Sequence, residues 1–330
     1  MTRHSKVVGI GNAIVDVISH AEDTFLDHMG IEKSIMQLVD RERAELLYAA
    51  MTDRTEVAGG SVANTIAGIG ALGLQTAFIG KVKDDALGRF YARSLADAGT
   101  DFPNAPVAEA EAPTSRSMIF VSPDGERSMN TYLGAGADLS SDDVGTEVFE
   151  GGGLLFLEGY LFDKDEGKTA FREAARLMHA AVGAAAVTLS DPFCCERHRY
   201  DFKRLIEDEM DIAIGNDAEW KTLYETEDLD AALSQAAAVC ETVVCTCSGD
   251  PVVLIQGGTR VEVPVTPVTP VDATGAGDQF AAGFLYGVAT GRSLEEAGQM
   301  GVIAAAEVIG HIGPRPKAEI KALFAKAGLI

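Results

Sequence analysis

The chain has 330 residues, 47% of them hydrophobic and 35 of them glycine, which suffices for a large buried core and excludes a disordered polymer. Fifty acidic residues against 27 basic ones give a net charge of −23, which argues against nucleic acid or an anionic membrane as partner. No apolar run reaches the length of a membrane span, and Asn12 and Asp16 interrupt the apolar stretch after Arg3, His4 and Lys6, so neither a span nor a signal peptide is expected.

In chain order, residues 7–17 read as a buried first strand that ends in polar residues, with Asp16 at its close, and residues 32–57 are mixed and polar. Residues 61–72 predict a small apolar helix, 76–80 a strand, and 87–98 an amphipathic helix with Phe90, Tyr91 and Leu95 on its apolar face. A strand over 117–121, a Pro123-Asp124-Gly125 turn and a strand over 127–132 follow. The second half alternates: strands at 154–157, 184–189, 212–214 and 242–245, with helices at 167–181, 200–208 and from 217. A hairpin around Gly257-Gly258 joins 252–255 to 261–265, and helices over 276–290 and 294–309 close the chain. Apolar strands alternating with helices predict an α/β fold, a mostly parallel sheet with helices on both faces.

The most informative stretch is Asp272-Ala273-Thr274-Gly275-Ala276-Gly277-Asp278, set against the start of a helix. The amides of Gly275, Ala276 and Gly277 are expected to be open, at a helix terminus that attracts anions. Asp278 beside such a cradle suits a base that takes a proton from an attacking hydroxyl, which points to phosphoryl transfer onto an alcohol. With a net charge of −23, such a site needs local positive charge, for which Arg127 and the Lys81, Lys83, Arg89 cluster are candidates. No P-loop sequence is present, and Gly68-Ile69-Gly70-Ala71-Leu72-Gly73 falls at the end of a helix, where a glycine C-cap explains it better than a dinucleotide fingerprint.

In Gly59-Gly60-Ser61-Val62-Ala63-Asn64 the glycines leave donors free and Asn64 can address a hydroxyl-rich ligand; the plainer alternative is a helix capped by Ser61. Asn216 and Glu219 face one side of a first helical turn, where their oxygens suit Mg²⁺ held partly through water; a capping box uses the same oxygens, and both can hold at once. Asp16, beside Asn12 and the Gly59-Gly60 loop, is a candidate for two vicinal hydroxyls. The five cysteines, Cys194, Cys195, Cys240, Cys245 and Cys247, make a poor disulfide framework and imply reduced thiols in a cytoplasm. Cys245-Thr246-Cys247 lacks a second pair at zinc spacing, so small residues in a buried strand are its simpler reading.

Gly59-Gly60-x-x-x-Asn64, Asn216-x-x-Glu219 and Asp272-x-Thr274-Gly275-Ala276-Gly277-Asp278 occur in the order and spacing of the PfkB, or ribokinase-like, carbohydrate kinases, and the chain resembles that family over nearly its whole length. Within the family, Gly11-Asn12-Ala13-x-x-Asp16 and Arg127-Ser128-Met129-Asn130 look most like adenosine kinases. The resemblance implies one ribokinase-like domain over 1–330, a three-layer fold with a mostly parallel central sheet and a small β-sheet lid from segments near 14–55 and 112–135. It implies ATP-dependent phosphorylation of the 5′-hydroxyl of adenosine, with a sugar kinase for ribose or fructose, or a kinase for inosine or guanosine, as alternatives. On this resemblance Asp278 is the base, Gly275 to Gly277 the anion hole, and Arg127 a lid residue that swings onto the transferred phosphate. Asn12, Asp16, Gly59, Gly60 and Asn64 would bind the ribose, and Met36, Leu38, Met129, Tyr160 and Leu161 would wall the base. Asn216, Thr246, Ser248, Gly249 and Thr274 would contact ATP, and Asn216 and Glu219 would organise Mg²⁺ through water. A monovalent cation such as K⁺ would sit where the loops around Asp272 and 310–313 approach. The family allows a monomer or a homodimer. The chain departs from the family in Ala273, where many relatives carry Thr, and in Lys83 before Asp84-Asp85, where Gly is frequent.

Overall fold

The computed structural model describes residues 3–330; Met1 and Thr2 lie outside them. The first half contains β1 (Lys6–Ile10), β2 (Ile14–His20), α1 (Asp23–Met29), β3 (Met36–Leu38), α2 (Arg41–Ala50), β4 (Thr55–Ala58), α3 (Ser61–Ala71), β5 (Gln75–Ile79), α4 (Ala86–Asp97), β6 (Thr100–Asp101), β7 (Ser115–Val121) and β8 (Arg127–Tyr132). The second half contains β9 (Leu154–Glu158), α5 (Asp165–Ala180), β10 (Ala184–Thr188), α6 (Pro192–Arg197), α7 (Arg199–Glu209), β11 (Ile212–Asn216), α8 (Asp217–Tyr224), α9 (Leu229–Ala237), β12 (Thr242–Cys247), β13 (Asp250–Gln256), β14 (Thr259–Val263), α10 (Ala276–Ala289), α11 (Leu294–Val308) and α12 (Ile320–Lys326).

Two sheets result. The larger has nine strands in the order β14-β13-β12-β11-β10-β9-β1-β5-β6, parallel except for the hairpin strands β13 and β14 at one edge. The smaller has five, in the order β3-β8-β7-β2-β4. Helices cover both faces of the large sheet, as the alternating pattern predicts. Val62, Ile66 and Ile69 of α3 and Phe280, Phe284 and Leu285 of α10 share one core, which continues into the small sheet through Val15, Val17, Met118 and Phe120. Phe171 of α5, Phe202 of α7, Trp220 of α8 and Leu233 of α9 build the core on the other face.

The predicted strand over 7–17 is in fact two strands in different sheets. β1 is buried on both faces, as a central parallel strand must be, whereas β2 alternates buried and half-buried residues, as a strand with one covered face does. Between them the Gly11-Asn12-Ala13 connector crosses from one sheet to the other. Asp16 therefore does not end the first strand; it lies in the middle of β2, on the half-buried face. The polar segment 32–57 holds β3, α2 and β4, all short or exposed enough to lack a clear period. At Gly73 the chain turns with φ +88° just past the end of α3, so the Gly68–Gly73 pattern is a helix ending.

Strand order reverses at β1, which pairs with β5 on one side and β9 on the other. In open parallel sheets ligands bind at the carboxyl ends of the strands around such a reversal. Here those ends belong to β1, β9, β10, β11 and β12, and the five-stranded sheet lies over them.

Candidate active site

A cavity of about 630 Å³ opens at this point, lined on one side by the 273–278 turn and on the other by β3 and β8 of the small sheet. Gly275 precedes α10 with φ +80°, and a Cβ there would come within 2.6 Å of Pro314 Cα, so only glycine fits the turn. The amides of Gly275 and Gly277 have no protein acceptor among the described residues, and the space beside Gly277 is open. The expectation of three open amides is corrected at Ala276, whose N–H donates to Ala273 O at 3.1 Å and closes the turn.

Asp278, in the first turn of α10, is held through both carboxylate oxygens. Ser61 Oγ donates to Oδ1 at 2.7 Å and Asn64 Nδ2 to Oδ2 at 3.0 Å, while Thr65 Oγ1 donates to its carbonyl at 3.0 Å. Ser61 is thus not the helix cap; Gly60, at φ +97°, occupies that position and frees the hydroxyl for Asp278. Burial lifts the Asp278 carboxyl to about 6, against the two hydrogen bonds that favour its charge. A carboxylate poised near neutrality, with its orientation fixed and an open anion site one residue away, has what a general base for an alcohol needs.

A second carboxylate, Asp16, lines the same cavity. Burial raises it to about 7; the charges of Arg127 and Arg315 oppose the shift and that of Asp278 adds to it. A Cβ on Gly59 would meet Asp16 Oδ2 at 2.5 Å, so glycine makes room for the carboxylate without itself lining the cavity. Asn12 and Gly60 line the cavity beside it.

Two residues of this cluster carry no signal in the sequence. Glu158, at the end of β9 and 1% exposed, accepts from Asn12 Nδ2 at 2.9 Å, Asn12 N at 3.3 Å and Val62 N at 3.1 Å. It ties the connector between the two sheets to the start of α3, and burial raises its carboxyl to about 7. Arg315 reaches back to Ala58 O at 3.0 Å and Asn64 Oδ1 at 3.4 Å.

Arg127 comes from β8 and pairs with Asp272 at 2.8 Å, with Thr274 Oγ1 at 3.4 Å. Strand β8 of the small sheet is thereby fastened to the turn that carries the open amides. Arg127 itself does not line the cavity, and the other cationic candidates lie elsewhere: Lys81 pairs with Asp143, Arg89 pairs with Asp84, and neither they nor Lys83 line it. Asp272 also accepts from Gly313 N at 2.9 Å, so the loops around 272 and 310–313 do meet.

Across the cavity, Asn216 and Glu219 form a reciprocal box. Glu219 N donates to Asn216 Oδ1 at 2.9 Å, and Asn216 N and Nδ2 donate to the two Glu219 oxygens at 2.7 and 2.8 Å. Burial lifts the Glu219 carboxyl to about 7. Direct metal ligation would break this box, whereas a carboxylate oxygen already holding one bond keeps a lone pair for a metal-bound water. Among the described residues no group of three or more His, Cys, Asp or Glu converges as a metal cage. These residues fit Mg²⁺ brought in on phosphates and contacted through water. Thr246, paired in register with Asn216, lines the cavity, as does Thr274 on the 272–278 turn, whereas Ser248 (φ +52°) and Gly249 form the exposed β12–β13 turn beyond its lining.

Met36 and Leu38 of β3, Met129 of β8 and Tyr160 supply an apolar wall. Leu161 does not: it is 4% exposed and belongs to the core beside Phe162 and Phe171. Phe193 of α6 lines the wall instead, 72% exposed. The sequence reading omits α6, although Asp191-Pro192 is a cap followed by a first-turn proline, and Asp191 Oδ1 does accept from Cys194 N.

A model of the pfkB family carbohydrate kinases matches residues 31–321. The solved adenosine kinase from Sinorhizobium meliloti is 45% identical, covers 99% of this chain and 100% of its own, and superposes with a TM-score of 0.90. A solved probable sugar kinase protein from Rhizobium etli CFN 42 is 43% identical, covers all of both chains, and gives a TM-score of 0.91. Adenosine kinase 2 of Arabidopsis thaliana is 28% identical over 338 residues, 93% of this chain and 94% of the relative.

Proposed function

This chain belongs to the pfkB family of carbohydrate kinases, phosphotransferases that act on an alcohol, and we propose that its acceptor is the 5′-hydroxyl of adenosine, with ATP as donor and AMP as product. The observation that carries this reading is Asp278, fixed by Ser61 and Asn64 beside two open amides, at the end of a cavity whose other wall is apolar. Adenosine kinases among the relatives support the choice of acceptor.

Phosphoryl transfer leaves a protein chiefly the tasks of positioning and charge neutralisation. Asp278 takes the proton from the 5′-oxygen as it attacks. The Gly275 and Gly277 amides receive the equatorial oxygens of the transferred group. Arg127, held at the turn by Asp272, adds positive charge and brings the small sheet down on the site. Asp16 and Asn12 accept and donate to the ribose hydroxyls along the Gly60 edge, with Asn64 shared between ribose and base. Met36, Leu38, Met129, Tyr160 and Phe193 give the adenine ring its apolar faces. Thr246, Thr274 and Asn216 line the donor side, where Asn216 and Glu219 would hold the metal through water. Mg²⁺ carried on the phosphates would supply charge neutralisation there. Exclusion of water by the closed sheet keeps ATP from hydrolysis until an acceptor arrives. Five free thiols fit a cytoplasmic location.

A free-sugar kinase is the competing reading, favoured by the sugar-kinase relative. ATP consumption measured with adenosine, inosine, guanosine, ribose and fructose separates them. Adenosine should give the highest kcat/KM, because only a base fills the apolar wall; a higher value for ribose or fructose would overturn the nucleoside assignment. A binding protein without chemistry would consume no ATP with any of them.

A further inference from the structure

We propose that Cys245 and Cys247 form a peroxide-sensitive dithiol whose closure to a disulfide weakens nucleotide binding. The effect on binding rests on the donor-side reading of Thr246 above; the thiol chemistry does not.

Residues two apart on a strand normally stand about 6.6 Å apart at Cα, with parallel side chains. Here the pairing of β12 with β13 shifts register between Cys245 and Cys247, which face Val253 and Asp250. This irregularity brings the two sulfurs to 3.7 Å. Cys245 is buried and Cys247 only partly so, which gives one thiol access to solvent and shelters the other. All five sulfurs lie near a carbonyl oxygen, but Cys194, Cys195 and Cys240 are buried and make no contact with a second sulfur among the described residues. A hydrogen bond from the Cys245 thiol lowers the Cys247 pKa, as does Lys221, while burial, Asp217 and Asp250 push it up. The same contact raises Cys245 far above the ordinary thiol range. One sulfur is thus the nucleophile and the other holds the proton.

The oxidant is hydrogen peroxide. Cys247 thiolate attacks one peroxide oxygen, the O–O bond breaks, and hydroxide leaves, to be protonated by solvent; the product is Cys247 sulfenic acid. Cys245 sulfur then attacks that sulfur, the S–O bond breaks, and water leaves with the Cys245 proton. Two electrons and two hydrogens have passed from the thiols to the peroxide. The sulfurs must close from 3.7 Å to about 2.05 Å, and bridged cysteines most often hold their Cα atoms about 5.5–6 Å apart, less than the spacing of an extended strand, so the strand between them contracts. The residue between them is Thr246, which lines the cavity and pairs in register with Asn216. Displacing it moves the donor side of the site.

The full chain, treated with hydrogen peroxide, should lose about 2 Da, with Cys245 and Cys247 in one disulfide-linked peptide, and dithiothreitol should restore the mass. Its KM for ATP should rise roughly tenfold or more while oxidised, since an ångström of misplacement suffices for that. Cys247→Ser should keep the basal KM and show neither change. Cys245→Ser should stop at the sulfenic acid, a gain of about 16 Da trapped by dimedone. An unchanged mass, or the same mass loss in Cys247→Ser, overturns the dithiol. A disulfide that leaves the KM for ATP unchanged overturns its control of binding. ATP binding to the reduced protein, measured by calorimetry, separates that result from failure of the nucleotide reading, which alone would abolish binding before any oxidation.

Discussion

Replacing Asp278 by Asn should nearly abolish turnover and at the same time stabilise the fold at neutral pH. The amide can keep both hydrogen bonds: its oxygen accepts from Asn64 Nδ2, and its nitrogen donates to Ser61 Oγ once that hydroxyl rotates. What it cannot do is take a proton, and loss of a general base removes about 10²–10⁴ in rate, or roughly 3–5 kcal/mol of transition-state stabilisation. The stability effect follows from the raised carboxyl. A shift from 3.8 to about 6 means that the folded state holds its proton more tightly than the unfolded one. The stability that Asp278 contributes is therefore complete below 3.8 and is lost as pH rises through about 6. Relative to wild type, the variant should gain with increasing pH, by at most about 3 kcal/mol above pH 7. Turnover, adenosine affinity by calorimetry, and urea unfolding at pH 5 and pH 8 together test this. Wild-type kcat/KM should fall with decreasing pH below about 6, and the residual activity of the variant should lack that limb. Turnover within a few-fold of wild type would refute the base assignment; lost affinity together with lost stability would make Asp278 a structural residue.

Arg127→Ala removes the ion pair with Asp272 and should lower kcat by about 10²-fold or more, with a smaller effect on KM for the nucleoside; the reverse split in steady-state kinetics would confine Arg127 to binding. Gly275→Ala forces a side chain into a left-handed turn and against Pro314, which should cost about 1–2 kcal/mol from the backbone alone and distort the anion site, seen as a lower Tm with a lower kcat. Glu158→Gln turns an amide N–H₂ toward either Asn12, which offers two donors, or Val62, which offers one, so at least one buried donor is left unpaired, and denaturant unfolding should register a loss of about 1–3 kcal/mol.

The parts of the site encoded in a few consecutive residues are legible in the sequence alone. The 272–278 turn announces itself because glycine is needed where φ is positive, and the Asn216–Glu219 box because both partners sit in one helical turn. Glu158 and Arg315 are not legible, because their partners lie 96 and 251 residues away and neither carries a local pattern. The break after β1 is readable in principle: continuous burial gives way to alternation between Ile10 and Ile14. The polar Asn12 resembles the end of a strand, yet it is the crossing point between sheets. Sequence proximity to Tyr160 misplaces Leu161; in the short helical turn they share, adjacent side chains point apart, one to the cavity and one to the core.

Phosphorus NMR of the product formed from adenosine and MgATP tests the central claim most directly. The account predicts a single new phosphomonoester whose resonance is coupled to the paired C5′ protons, and its formation at least about a hundredfold slower with the Asp278→Asn variant. A phosphate on a 2′- or 3′-oxygen, or only free phosphate released from ATP, would contradict it.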